Sequence, residues 1–105
     1  MLMIDQSYDG RRVDLPVGQV LELRLPENPT TGFSWSFESN GEPACAVVND
    51  QFVGSGTRPG RGGQHAWEIR GVQVGTCQFR LAYRRPWDAG VPSAQVFDVQ
   101  VNVTP

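Results

Sequence analysis

Apolar and polar residues alternate with a period of two along most of this sequence, and no segment holds an apolar stripe at the i, i+3, i+4, i+7 spacing of an amphipathic helix. Successive side chains of a strand point to opposite faces, so this alternation specifies strands with one face buried and the other wet. Leu21, Leu23 and Leu25 alternate with Glu22 and Arg24, and Phe33, Trp35 and Phe37 alternate with Ser34, Ser36 and Glu38. The clearest run sets Cys77, Phe79, Leu81 and Tyr83 against Gln78, Arg80, Ala82 and Arg84. A strand from about Gln95 to Val103 carries Phe97, Val99, Val101 and Val103 on one face, and one from about Gln64 to Val72 turns Trp67 and Ile69 inward. Ala46 to Val53 reads as a weaker strand, and segments at Met1 to Tyr8 and Arg12 to Leu15 complete seven or eight.

Turn residues separate these runs. Pro26 to Gly32 carries two prolines and a glycine and reads as a loop, and residues 54–63 are too rich in glycine for either kind of regular element. Short strands at regular spacing within 105 residues predict an all-β, immunoglobulin-like antiparallel β-sandwich in a single domain, residues 1–105. The Cys-Trp-Cys spacing of antibody domains is missing, so the likeness to them is architectural only.

A net charge of −2 and the lack of any run of like charges give no basic footprint for nucleic acid and no membrane-surface patch. The stretch Met1 to Asp5 shows neither a basic n-region nor an apolar h-region, and nothing later is long enough to span a bilayer. The chain as it stands therefore reads as carrying no leader, which leaves the compartment unknown: cytoplasmic, or periplasmic or secreted if a leader has been removed.

Groups that do chemistry are scarce: one histidine, two cysteines and eleven scattered carboxylates. A Cys77–His65 pair is the best case for an enzyme, but Cys77 has inward parity, where a thiol packs as a small hydrophobe. His65 opens a strand and reads as a partly exposed residue at its end. One histidine without clustered acids or thiols makes no closed metal site. The glycine-rich loop leads into a strand, whereas a phosphate cradle leads into a helix, and the chain has no lysine for a Walker motif. No metal and no cofactor are expected. Cys45 and Cys77 either form one disulfide or stay as two small buried or half-buried thiols.

A sandwich core leaves three segments unexplained: one around Asn28 to Phe33, one around Gly60 to Gly63, and one opening with Arg85, Pro86 and Trp87. In an immunoglobulin order of strands they are the B–C, D–E and F–G connections, which emerge at one end. Pro29 and Pro86 restrict the backbone and so reduce the entropy lost on docking, while the glycines let a partner approach the main chain. Trp87, just past a strand end, reads as an exposed aromatic anchor; the alternative is that it folds back over the core. Taken alone, Asn28 and Thr30 are explained by turn chemistry, their side chains bonding nearby backbone.

Asn28, Pro29, Thr30, Thr31, Gly32 and Phe33, then Gly60, Arg61, Gly62 and Gly63, then Arg85, Pro86 and Trp87 resemble, in order and spacing, the three signature motifs of the chagasin-like inhibitors of cysteine peptidases. The resemblance implies a monomeric, reversible, non-covalent inhibitor of papain-like cysteine peptidases. It sets Thr31 against the catalytic cysteine and histidine, with Asn28, Pro29, Thr30 and Gly32 holding the loop. It implies that Trp87 packs on aromatic residues on the primed side of the cleft with Arg85 beside it, and that Gly60 to Gly63 reach the non-primed side through backbone contacts. The long approach through residues 54–59 and the charge of Arg61 depart from the family pattern. An immunoglobulin-like adhesion module, using the same loops or a sheet edge on a partner that is not a peptidase, is the other reading.

Overall fold

A computed structural model of the chain describes residues 2–54, 62–87 and 93–105. Strands form where the alternation lies: β3 (Val20–Glu27) buries Leu21, Leu23 and Leu25, β7 (Gly75–Arg84) buries Phe79 and Leu81, and β8 (Gln95–Thr104) buries Phe97, Val99, Val101 and Val103. With β1 (Leu2–Ile4), β2 (Arg12–Pro16), β4 (Ser34–Asn40), β5 (Cys45–Gly54) and β6 (Gly63–Gly71) there are eight among the described residues. They form two four-stranded sheets, ordered β1–β3–β6–β5 and β2–β8–β7–β4. In immunoglobulin lettering these are A–B–E–D and A′–G–F–C, the sandwich expected from the sequence. One cluster of apolar side chains, contributed by both sheets, fills the space between them.

Four strand pairings are antiparallel, but the two made by the first strands, β1 with β3 and β2 with β8, run parallel. The chain starts on one sheet and crosses to the other, so the stretch from Met1 to Tyr8 is not one strand. It breaks after Ile4 into a 3₁₀ turn at Gln6–Tyr8, capped by Asp5, whose carboxylate accepts the Ser7 N–H at 2.9 Å. The crossover is pinned to β8 by Gly10 N–H donating to Asp98 O (2.7 Å) and Asp98 N–H donating to the Asp9 carboxylate (2.8 Å).

β3 also continues through Pro26 and Glu27, which the sequence assigns to the loop. Its neighbour β1 ends at the Ile4–Leu23 pair, so beyond Leu23 the strand has a partner on the β6 side alone. A strand open on one side admits a proline, whose missing N–H leaves no ladder bond unmade there. At the other end of the sandwich β4 closes on Gly41, with φ of +80° and the Phe79 ring packed on its Cα face. Cys45 N–H donates to Gly41 O at 2.8 Å and so ties the start of β5 to this turn.

Candidate functional site

β3, β5 and β7 run in one direction, so the connections that leave Glu27, Gly54 and Arg84 all emerge at one end of the sandwich. The described residues of these connections touch one another. Gly62 lies against the Glu27 carbonyl and the Asn28 side chain, and Gly32 lies against the indole of Trp87.

The β3–β4 loop is hydrogen-bonded to itself. Its backbone makes one 3₁₀ turn over Pro29–Thr31, closed by Thr31 N–H donating to Asn28 O at 3.1 Å. The Asn28 side-chain oxygen accepts from both the Thr30 N–H (3.1 Å) and the Thr30 hydroxyl (2.6 Å). The Thr31 hydroxyl donates to Asn28 O at 2.7 Å and accepts from the Phe33 N–H at 3.3 Å. The turn chemistry expected of Asn28 and Thr30 is thus what shapes the loop. Gly32 completes it with φ of +79°, a left-handed conformation that glycine adopts without steric cost.

Tyr83, near the end of β7, joins this loop to the next. Its hydroxyl accepts the Asn28 N–H at 3.1 Å, its ring stacks on Phe33 (5.3 Å between centroids) and tilts against Trp35 (4.8 Å), and its carbonyl accepts the Ala94 N–H at 2.9 Å. Above it the Arg85 guanidinium lies over the Phe33 ring at 4.8 Å and 5.7 Å from the Trp87 centroid, in range of a cation–π contact with each. Trp87 itself is 67% exposed, so it does not fold back over the core. One face of its ring rests on Gly32 and the rest is open to a partner.

Beneath the loops is a buried carboxylate. Glu27 is 8% exposed, accepts the Trp35 N–H at 3.2 Å through one oxygen, and meets His65 Nδ1 at 3.2 Å through the other. His65 Nε2 lies 2.7 Å from Asp50, and the imidazole stacks on Trp67 at 4.2 Å. His65 is therefore half-buried between two acids, more enclosed than its place at a strand end suggests. Its nitrogens are occupied far from Cys77, whose sulfur faces Cys45, so the Cys–His pair that an enzyme would need does not exist. Among the described residues no group of three or more His, Cys, Asp and Glu side chains is placed so that it could hold a metal ion.

Glu27→Ala is expected to cost about 1–3 kcal/mol of stability, since the buried Trp35 N–H and the His65 ring lose their acceptor together. Urea unfolding reads this as a lower midpoint at unchanged slope. A loss within error would mean that water replaces the carboxylate.

Of the residues singled out in the sequence, Asn28, Pro29, Thr30, Thr31, Gly32, Phe33, Gly62, Arg85, Pro86 and Trp87 lie in these connections, and Gly63 opens β6 beside them. Gly60 and Arg61 lie outside the described residues. Sequence reasoning missed Glu27 and Tyr83, the two residues beneath the loops. The inward parity of Tyr83 was visible, but its hydroxyl partner was not, and Glu27 was hidden by the proline before it.

The profile described as "Chagasin family peptidase inhibitor I42" matches residues 14–101, which span both sheets and all three connections. The chain belongs to the chagasin family. That family is one of peptidase inhibitors and not of enzymes. Chagasin of Trypanosoma cruzi is 32% identical over 104 residues, 94% of each chain, and amoebiasin-1 of Entamoeba histolytica is 30% identical over 109 residues, 97% of this chain and 99% of that one. In fold, the crystal structure of the cysteine protease inhibitor EhICP2 from Entamoeba histolytica superposes with a TM-score of 0.87 at 20% identity, covering 98% of this chain and 95% of that one.

Proposed function

We propose that this chagasin-family chain is a reversible, non-covalent, tight-binding inhibitor of papain-like cysteine peptidases, which it blocks by seating the loop end of the sandwich in the active-site cleft. The observation that carries this reading is the Trp87 indole held out to solvent on Gly32, beside a β3–β4 turn already closed on its own hydrogen bonds. An aromatic anchor beside a prefolded turn loses little conformational entropy on docking.

In this arrangement Thr31, at the exposed tip of the turn, faces the catalytic cysteine and histidine, and Asn28, Pro29, Thr30 and Gly32 hold it there. Trp87 packs against aromatic residues to one side with Arg85 and Pro86 behind it. Phe33 supports Arg85 from below, and Gly60 to Gly63 lie along the other side of the cleft. The chemistry follows from the turn. A 3₁₀ turn whose N–H groups point back into the loop offers no extended peptide with a carbonyl aligned for thiolate attack, and the Thr31 hydroxyl is no acyl group. The enzyme is occupied and nothing is cleaved. Contacts spread across a cleft bury an interface of roughly 1,600 Å² in total, the size at which protease–inhibitor pairs reach nanomolar affinity or better.

An inhibition panel of papain-like, caspase-like and serine peptidases tests the reading, with near-stoichiometric inhibition of the first class alone expected. No inhibition of any papain-like enzyme at micromolar concentration would sink it and return the loop end to some other protein partner. Affinity is also expected to persist when the peptidase's active-site Cys is changed to Ala or Ser, measured by calorimetry. Its loss would replace steric blocking with a thiolate-dependent mechanism.

A further inference from the structure

Near the opposite end of the sandwich the core holds two thiols for which the inhibitory surface has no use. Cys45 opens β5, paired with Gly71 in one sheet, and Cys77 lies in β7, paired with Val101 in the other. Their sulfurs meet across the core 2.7 Å apart, inside the contact distance of unbonded sulfur atoms and a short step from the ~2.05 Å of a disulfide. The sequence contains two cysteines in all, so each has the other as its sole partner within the chain. The backbone on the Cys45 side is held in place: Cys45 N–H donates to Gly41 O, and Ala44 O accepts from the N–H groups of Val72 (2.8 Å) and Gln73 (3.2 Å). Cys45 is 1% exposed and Cys77 6%, and both belong to the apolar core cluster.

We infer that Cys45 and Cys77 are a disulfide site joining the two sheets, filled when the chain folds in the presence of a small-molecule disulfide of the oxidised-glutathione class. Both cysteines are almost fully buried in the closed sandwich, so exchange takes place while the sheets are still apart. One cysteine thiolate attacks a sulfur of the small disulfide, forming a mixed disulfide and releasing one thiolate. The other cysteine gives its proton to water and attacks the protein sulfur of that mixed disulfide, releasing the second thiolate. The two protein thiols lose two protons and two electrons, and the small disulfide leaves as two thiols. Packing then shields the product. A chain folded under oxidising conditions keeps its bridge and a chain folded under reducing conditions keeps its thiols, so the state is set where folding occurs. The bridge joins strands D and F, whereas the antibody bridge joins B and F.

The test refolds the full chain from denaturant with a glutathione redox buffer or with excess reductant, then counts thiols in denaturant and measures intact mass. Oxidative refolding is expected to give a monomer lacking both free thiols and two hydrogens lighter, melting roughly 15 °C above the reduced chain, the scale for closing a loop of about thirty residues. The folded reduced chain, placed in the same redox buffer, is expected to keep two thiols many times longer than the unfolded chain does. Two free thiols after oxidative refolding, or disulfide-linked dimers, would overturn the site. A bridge that leaves Tm unchanged or lower would overturn its role in joining the sheets. Rapid oxidation of the folded chain would overturn the shielding.

Discussion

Trp87→Ala is expected to raise the dissociation constant for a papain-like peptidase about 30-fold or more, equivalent to ~2 kcal/mol or more, with no matching loss of fold stability. The two readouts separate because the indole is two-thirds exposed and rests on one glycine, so its removal leaves no cavity in the core. Thr30→Ala, by contrast, removes a hydroxyl that donates to Asn28 within the loop, while the Thr30 N–H keeps the same acceptor. Its effect is therefore expected to be smaller. Inhibition constants and thermal melts of the two variants decide the matter. Equal small changes in affinity, or a large fall in Tm for Trp87→Ala, would mean that the ring belongs to the scaffold.

The largest expected effect on stability lies at the other end of the molecule, at Gly41→Ala. With φ of +80° the backbone there is left-handed, and an added Cβ would run into the Phe79 ring, itself fully buried. A left-handed conformation costs a non-glycine residue about 1–2 kcal/mol, and forcing a packed ring aside costs about 1–3 kcal/mol more. A loss of about 3 kcal/mol, seen as a fall in Tm of roughly 10–20 °C, is expected. The folded fraction should still inhibit normally, because the loops proposed to bind lie at the far end. A change below about 1 kcal/mol would mean that Phe79 has a second rotamer to move into.

Alternation carried most of the fold because it reports directly which side of each strand meets the core. Leu21, Leu23, Leu25, Phe79, Leu81 and the Phe97-to-Val103 run are buried as their parity requires. Parity carries no information on strand direction, and so the parallel pairings of β1 and β2, set by a crossover between sheets, were not legible. Pro26 misled because a proline forbids a ladder bond in general, whereas β3 at that point has an open side. The loops were legible by composition, and their meeting at one end by strand order. The Glu27–His65–Asp50 contact was not, because it joins three strands whose mutual register no local pattern encodes. The same limit applied to Cys45 and Cys77, where spacing favoured two separate thiols over a bridge and could not show that the stacked sheets bring the sulfurs together.

Tyr83 holds one loop by its hydroxyl, supports another by its carbonyl and stacks under Phe33 with its ring. These two loops therefore stand on one footing and are not two independent fingers. A change in either loop is felt by its neighbour through this shared footing, so the affinity of the whole is not a sum of loop contributions. Retargeting such a surface to a cleft of different width would mean resetting the footing at Tyr83 together with the loop residues it supports.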